Sequence, residues 1–104
     1  MSQFVFRFQP VLSVKKQLED SSKNELGKAV RKFEGEKEEL ERIEQDRLEC
    51  LNDMKRYASD SVNINSLKEY NKFLLYMKGC INIQKENVAV AQENVEDCRK
   101  ELIN

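Results

Sequence analysis

A long, uninterrupted heptad pattern in the C-terminal half constrains the fold of this chain more than any other feature. Residues at alternating steps of three and four are apolar or small, and Gln84 is the one strongly polar exception. These positions are Leu67, Tyr70, Leu74, Met77, Ile81, Gln84, Val88, Ala91, Val95, Cys98 and Leu102. One helix cannot bury such a stripe alone, so the pattern predicts a coiled coil with a partner helix.

A weaker stripe in the N-terminal half can supply that partner. Pro10 suits the first turn of a helix, where its missing N–H costs nothing, and no other proline follows it. Apolar or small residues then recur in steps of three and four. They are Leu18, Ser22, Leu26, Ala29, Val30, Phe33, Leu40, Ile43, Leu51 and Met54. Polar residues such as Arg47 interrupt this stripe, which therefore predicts a narrow seam with gaps.

Residues 58–66 separate the two stripes and predict a loop. This segment is rich in Ser, Asp and Asn, whose side chains compete for backbone hydrogen bonds and favour turns. Ser66 and Glu69 have the spacing of a capping box, in which each side chain binds the other residue's backbone N–H. The sequence thus predicts a first helix over residues 10–57 and a second over residues 67–104.

Folding back at about residue 62 places the two stripes against each other. In this arrangement Leu74 meets Leu51, and Gln84 lies near Leu40. The predicted fold class is all-α: the whole chain forms one long antiparallel two-helix coiled-coil hairpin.

The N-terminal residues 1–9 predict an arm outside the hairpin. Phe4, Phe6 and Phe8 alternate with other residues, which is typical of an extended segment. The chain offers no second strand pattern, so we interpret the segment as an arm that docks on another surface. The first helix is longer than the second, which leaves its first turns unpaired. The heptads still continue at Asn104, so we expect the natural protein to extend further.

Charge and hydropathy exclude several classes of partner. The chain has 18 basic and 19 acidic residues, and its net charge of −1 gives no field that attracts a phosphate backbone. We therefore predict no nucleic-acid binding. No apolar run approaches the roughly 20 residues needed to cross a bilayer, and the N-terminus has no signal-peptide pattern. We predict no membrane insertion.

The sequence offers no candidate chemistry. It contains no His, the commonest general base and metal ligand. Cys50, Cys80 and Cys98 have no CxxC spacing and are interpreted as reduced thiols of a cytosolic protein. No glycine-rich phosphate loop occurs. We therefore predict no catalytic residue, no metal site, no cofactor and no enzymatic activity.

Surplus apolar residues point instead to protein binding. Phe73, Leu75 and Tyr76 surround the seam residues Leu74 and Met77, so apolar side chains occupy most of the helix circumference there. Exposed patches of this kind mark interaction sites. The alternative is local packing near the loop or against the N-terminal arm. The three phenylalanines of that arm form a second candidate binding site.

Two segments of the sequence resemble those of a known family. Residues 4–12, Phe-Val-Phe-Arg-Phe-Gln-Pro-Val-Leu, with Lys15, Lys16 and Glu19, are similar to the N-terminal signature of the FliJ family of flagellar export proteins. Residues 67–77, Leu-Lys-Glu-Tyr-Asn-Lys-Phe-Leu-Leu-Tyr-Met, resemble the start of that family's second helix.

This resemblance implies a function in flagellar biogenesis and motility. Members of the family form antiparallel coiled coils similar to the central stalk of rotary ATPases. They bind the hexameric type III export ATPase, the cytoplasmic domain of the export gate, and export chaperones. The implied location is cytoplasmic, at the membrane face that carries the export apparatus. The implied gate-binding residues are Tyr70, Phe73, Met77, Cys80 and Gln84.

Two other functions remain open from the residues alone. A generic cytosolic coiled-coil scaffold or adaptor has the same seam but no dependence on Phe73 or Tyr76. A holdase-type chaperone clasps unfolded clients without preference for a ring ATPase.

Overall fold

The computed structural model describes the backbone of residues 2–59 and 64–103, and the side chains of residues 12–58 and 64–102. Two helices account for all of the described backbone: α1 spans Ser2–Ser59 and α2 spans Ile64–Ile103. The described residues contain no strand. The predicted all-α, two-helix fold class is therefore confirmed.

Helix α1 begins earlier than the sequence predicts. The backbone from Ser2 to Gln9 is helical, which corrects the extended arm expected over residues 1–9. Three alternating phenylalanines cannot make a strand without a neighbouring strand to accept its hydrogen bonds. A helix instead satisfies backbone donors and acceptors within the segment itself. The side chains of Phe4, Phe6 and Phe8 lie outside the described residues.

The break between the helices is shorter than predicted. Helix α1 ends at Ser59 and α2 begins at Ile64, so both helices reach into the predicted loop over residues 58–66. Ser66 lies inside the first turn of α2, where it cannot be the N-cap of a box with Glu69. Polar residues are tolerated in a first turn because its backbone N–H groups have no intrahelical partner. Capping propensity therefore misplaced this boundary.

The chain divides into two compact units, and each contains a stretch of both helices. The first unit comprises residues 1–33 and 91–104, and the second comprises residues 34–90. In the first unit Ala29, Ala91 and Val95 are buried. Small side chains at a helix contact allow the two backbones to approach closely.

The first turns of α1 expose their apolar side chains. Leu12, Val14 and Leu18 are 61%, 55% and 65% exposed. The unpaired start expected for the first helix agrees with these values. The inclusion of Leu18 in the seam was wrong, because its side chain faces solvent.

The core of the second unit is an antiparallel helix contact. Cys50, Leu74 and Met77 form a buried cluster, and Leu51, Met54 and Tyr70 pack against it. Later residues of α2 contact earlier residues of α1, which makes the two helices antiparallel in this unit. The predicted contact region of Leu74 with Leu51 is confirmed.

The α2 seam follows the heptad prediction closely. Ten of its eleven positions are buried or half-buried, and only the last, Leu102, is exposed at 37%. Burying a side chain such as Leu74 contributes about 1.5–3 kcal/mol, so this seam supplies most of the apolar stabilisation of α2.

Candidate partner-binding surface

A short apolar stripe lies on the side of α2 that α1 leaves uncovered. It consists of Phe73, Tyr76, Cys80 and Ile83, which we call the outer face of α2. Steps of three and four place these residues on one side of the helix. Phe73 is 51% exposed, Tyr76 is 68% exposed and Ile83 is 63% exposed, whereas Cys80 is half-buried. The outer face is therefore available to another molecule.

The two aromatic rings of the outer face lie beside each other. The ring centroids of Phe73 and Tyr76 are 6.4 Å apart, with an interplanar angle of 23°. Offset aromatic pairs at this separation attract each other. The pair therefore presents a preformed aromatic platform to solvent.

Tyr76 also contacts Cys80, one turn further along α2. A hydrogen bond between their side chains and the charge of the thiolate raise the pKa of Tyr76, and partial burial adds to the shift. The folded state therefore favours the protonated phenol of Tyr76. Within the outer face, Tyr76 thus interacts with both Phe73 and Cys80.

A second tyrosine pair lies beside the loop. The rings of Tyr57 and Tyr70 have centroids 5.6 Å apart and are tilted by 36°. Burial raises the pKa of Tyr70, and the nearby Tyr57, Asp53 and Cys50 raise it further by disfavouring negative charge. This pair joins the ends of α1 and α2 next to the break.

A shallow cleft connects the tyrosine pair to the outer face. Its volume is about 370 Å³. The residues that line it are Tyr57, Ser66, Glu69, Tyr70 and Phe73. Tyr70 is half-buried, so only part of its side chain is accessible to a partner. Phe73 belongs to both the cleft and the outer face, which makes the two one continuous surface.

Two of the implied gate-binding residues face inward. Met77 is 6% exposed and packs in the core cluster, and Gln84 is 7% exposed. The Gln84 amide donates to the backbone carbonyl of Glu36 at 2.9 Å and to the Glu36 carboxylate at 2.6 Å. The sequence placed Leu40 near Gln84, one turn further along α1. In this conformation Met77 and Gln84 support the surface from beneath.

Ile83 is the outer-face residue that the sequence reasoning missed. It follows Tyr76 at one heptad and Cys80 at three residues. The three-and-four spacing that starts at Phe73 leads to Ile83. The seam on the adjacent side has the longer pattern, so this second stripe was not identified from the sequence.

The described residues offer little for chemistry. No group of three or more His, Cys, Asp or Glu side chains within them has the arrangement of a metal site. Cys50, Cys80 and Cys98 are unbridged thiols. No helix in the described part of the chain has the length and hydropathy needed to span a bilayer.

Comparison with known proteins identifies the family. A family model described as the flagellar FliJ protein matches residues 3–104. The chain belongs to the FliJ family. A comparison with curated proteins finds no match, and a comparison with solved structures also finds none. FliJ proteins are non-catalytic components of flagellar protein export, so this chain is a flagellar export component.

Proposed function

We propose that this FliJ-family chain is a non-enzymatic stalk and chaperone-escort component of the type III export apparatus. It binds the hexameric export ATPase, the cytoplasmic domain of the export gate and export chaperones. It acts in the cytoplasm, at the membrane face that holds the apparatus. The family match supports the export role, and the exposed Phe73–Tyr76 pair is the observation that carries the proposal of partner binding.

The outer face supplies the chemistry of a protein-binding site. Aromatic side chains are enriched at interfaces because they bury a large area at a small cost in conformational entropy. Phe73 and Tyr76 provide two such anchors, Cys80 lies between them and Ile83, and Tyr70 forms the edge toward the loop. Met77 and Gln84 hold α2 in place beneath this surface. We assign the gate to this surface.

The middle stretch of α1, residues 39–56, differs in character, because its exposed side chains are polar or charged except for Leu48. Its exposed charges pair locally, as in the ion pairs of Arg42 with Glu39 and Asp46 and of Arg56 with Asp53. Such pairs contribute little to stability but keep this side of α1 hydrated. The contrast favours α2 as the gate-binding helix.

The stalk role follows from symmetry. A single antiparallel helix pair has no six-fold symmetry, so inside a six-subunit ring it contacts the subunits unequally. Unequal contacts favour different subunit conformations around the ring, which is a shift of population by differential binding. The chain needs no nucleotide site to act in this way.

We assign the N-terminal segment with Phe4, Phe6 and Phe8 as a second partner-binding element.

Affinity capture from the cytosol of a flagellated cell, analysed by mass spectrometry, tests the proposal. We expect this chain to recover the export ATPase and the gate protein. The Phe73→Ala/Tyr76→Ala variant should lose the gate and retain the ATPase. Leu48→Ala is the matched control, because Leu48 on α1 is 51% exposed, as is Phe73, but lies away from the outer face.

Recovery of neither partner would favour a generic scaffold. Promiscuous capture of denatured proteins, without the ATPase, would favour a holdase. Equal loss of the gate in the Leu48→Ala variant would contradict the assignment of the gate to the outer face.

A further inference from the structure

The outer face of α2 is complementary to itself in an antiparallel arrangement. If two copies of α2 cross near Lys78, Phe73 of one copy faces Ile83 of the other, and Tyr76 faces Cys80. Each large aromatic side chain then meets a smaller apolar one, as in the layers of an antiparallel coiled coil. All four side chains of each copy are used in these layers.

The charges beside the outer face fit the same arrangement. Lys72 and Glu86 lie two heptads apart along one edge of the outer face, and both are exposed. In the antiparallel register, Lys72 of one copy faces Glu86 of the other, and the two-fold axis repeats the pair. The ion pairs found among the described side chains involve neither residue. In a parallel arrangement, neither Lys72 nor Glu86 would face the residue of opposite charge in the other copy.

Gly79 lies midway between these two charges on the same edge. The two-fold axis places it opposite Gly79 of the other copy. A Cβ at this position would meet no atom of the described residues within 4 Å, so no contact among them requires a glycine there. In the paired arrangement, the missing side chain lets the two helices approach closely at the centre of the contact.

We propose that two copies of this chain associate antiparallel through the outer faces of their α2 helices. Phe73, Tyr76, Cys80 and Ile83 form the apolar contact, and Lys72 pairs with Glu86 of the other copy. This inference concerns the chain by itself and stands whether or not the gate binds there. Where the gate does bind there, self-association and gate binding exclude each other, because both cover the same aromatic pair.

Sedimentation velocity of the purified full chain, from micromolar to millimolar concentration, measures the association. We expect a reversible monomer–dimer equilibrium. Lys72→Glu should weaken the dimer by about tenfold or more, because two exposed ion pairs change from attraction to repulsion together. Lys72→Glu/Glu86→Lys restores opposite charges across the axis and should restore dimerisation. Lys85→Glu is the matched control, since Lys85 is exposed on a different side of α2.

Zero-length carbodiimide cross-linking tests the register directly, since it joins a lysine amine to a carboxylate in contact with it. A mixture of isotope-labelled and unlabelled chains should yield a Lys72–Glu86 link between two copies. A chain that stays monomeric at millimolar concentration would overturn the proposal. So would a dimer that Ile83→Asp and Lys72→Glu leave unchanged, or links between copies at other residues only.

Discussion

The amide nitrogen of Gln84 is shared between two oxygens of Glu36, a residue 48 positions earlier in the chain. Asn87 in turn donates to the Gln84 carbonyl at 3.2 Å. The one strongly polar residue of the α2 seam is therefore hydrogen-bonded on both of its polar atoms. A buried polar group in a coiled coil favours the register that satisfies it.

Removing this amide should destabilise the protein. Gln84→Ala leaves the seam with a small cavity and Glu36 without its donor, so we expect the free energy of unfolding to fall by about 1–3 kcal/mol. Gln92→Ala, one heptad plus one residue further along α2 and exposed, should change it by less than about 0.5 kcal/mol. Urea denaturation followed by circular dichroism measures both values. Equal losses in the two variants would contradict a structural role for the Gln84–Glu36 contact.

The neighbours Phe73 and Leu74 should separate binding from stability. Leu74 is 8% exposed and Phe73 is 51% exposed. We expect Leu74→Ala to cost about 2–3 kcal/mol of unfolding free energy, because it opens a cavity in the core cluster. Phe73→Ala should cost about 0.5 kcal/mol, as a surface substitution does. Chemical denaturation of both variants checks this order, and a Phe73→Ala loss as large as that of Leu74→Ala would show that Phe73 belongs to the core.

Alkaline pH should weaken the Tyr57–Tyr70 contact. Burial raises the pKa of Tyr70 above its ordinary value of 10.0. A raised pKa means that the folded state favours the protonated phenol. Its contribution to stability is therefore complete below pH 10 and is lost as the pH rises through the folded-state pKa. Wild-type melting temperature should fall above pH 10, from the ordinary pKa upward through the raised folded-state pKa, more steeply than that of Tyr70→Phe. Parallel curves for the two proteins would refute the prediction.

The three thiols should react at different rates. Cys50 is 8% exposed in the core cluster, whereas Cys80 and Cys98 are half-buried. A buried thiol reacts only when the structure opens locally, so we expect Cys50 to be modified at least about tenfold more slowly than the other two. A chromogenic disulfide reagent, with Cys50→Ser as the control that loses the slow phase, measures this difference. In denaturant the three rates should converge.

The α2 seam could be predicted because its physics is local and periodic. The ten heptad positions from Leu67 to Cys98 lie on a stripe that only a partner helix can bury, and the structure buries or half-buries all ten. The fold class followed from this stripe and from the scarcity of helix-breaking residues. A regular pattern repeated over many turns leaves few alternative structures.

The ends of the helices were harder to predict because their signals are short and compete. The alternation of Phe4, Phe6 and Phe8 favoured an extended segment, but backbone hydrogen bonding makes this stretch part of α1. Ser66 has the residue type of an N-cap, yet α2 begins two residues before it. Such preferences are worth about 1 kcal/mol, which the context of a long helix outweighs.

The candidate surface was predicted in part. Phe73 and Tyr76 were identified as surplus to the seam, and both are exposed. The role assigned to them remains a prediction. The heptad pattern placed Gln84 in the seam, but its hydrogen-bond partner could not be derived, because a polar residue in a seam either binds a partner protein or finds a partner inside. The carboxylate and carbonyl of Glu36 decide this, and their position depends on the register of the two helices.

Helix α2 carries two apolar stripes about 100° apart around its axis, because they are offset by one residue in a helix of 3.6 residues per turn. Rotating the helix by that angle would bury Phe73 and Tyr76 and expose Leu74 and Met77, so within residues 73–83 hydrophobicity by itself leaves a choice between two orientations. The second stripe has nothing in the place of Gln84 that could satisfy Glu36. In this stretch the Gln84 amide therefore favours the same orientation as the longer seam, and that orientation leaves Phe73 and Tyr76 exposed to other molecules.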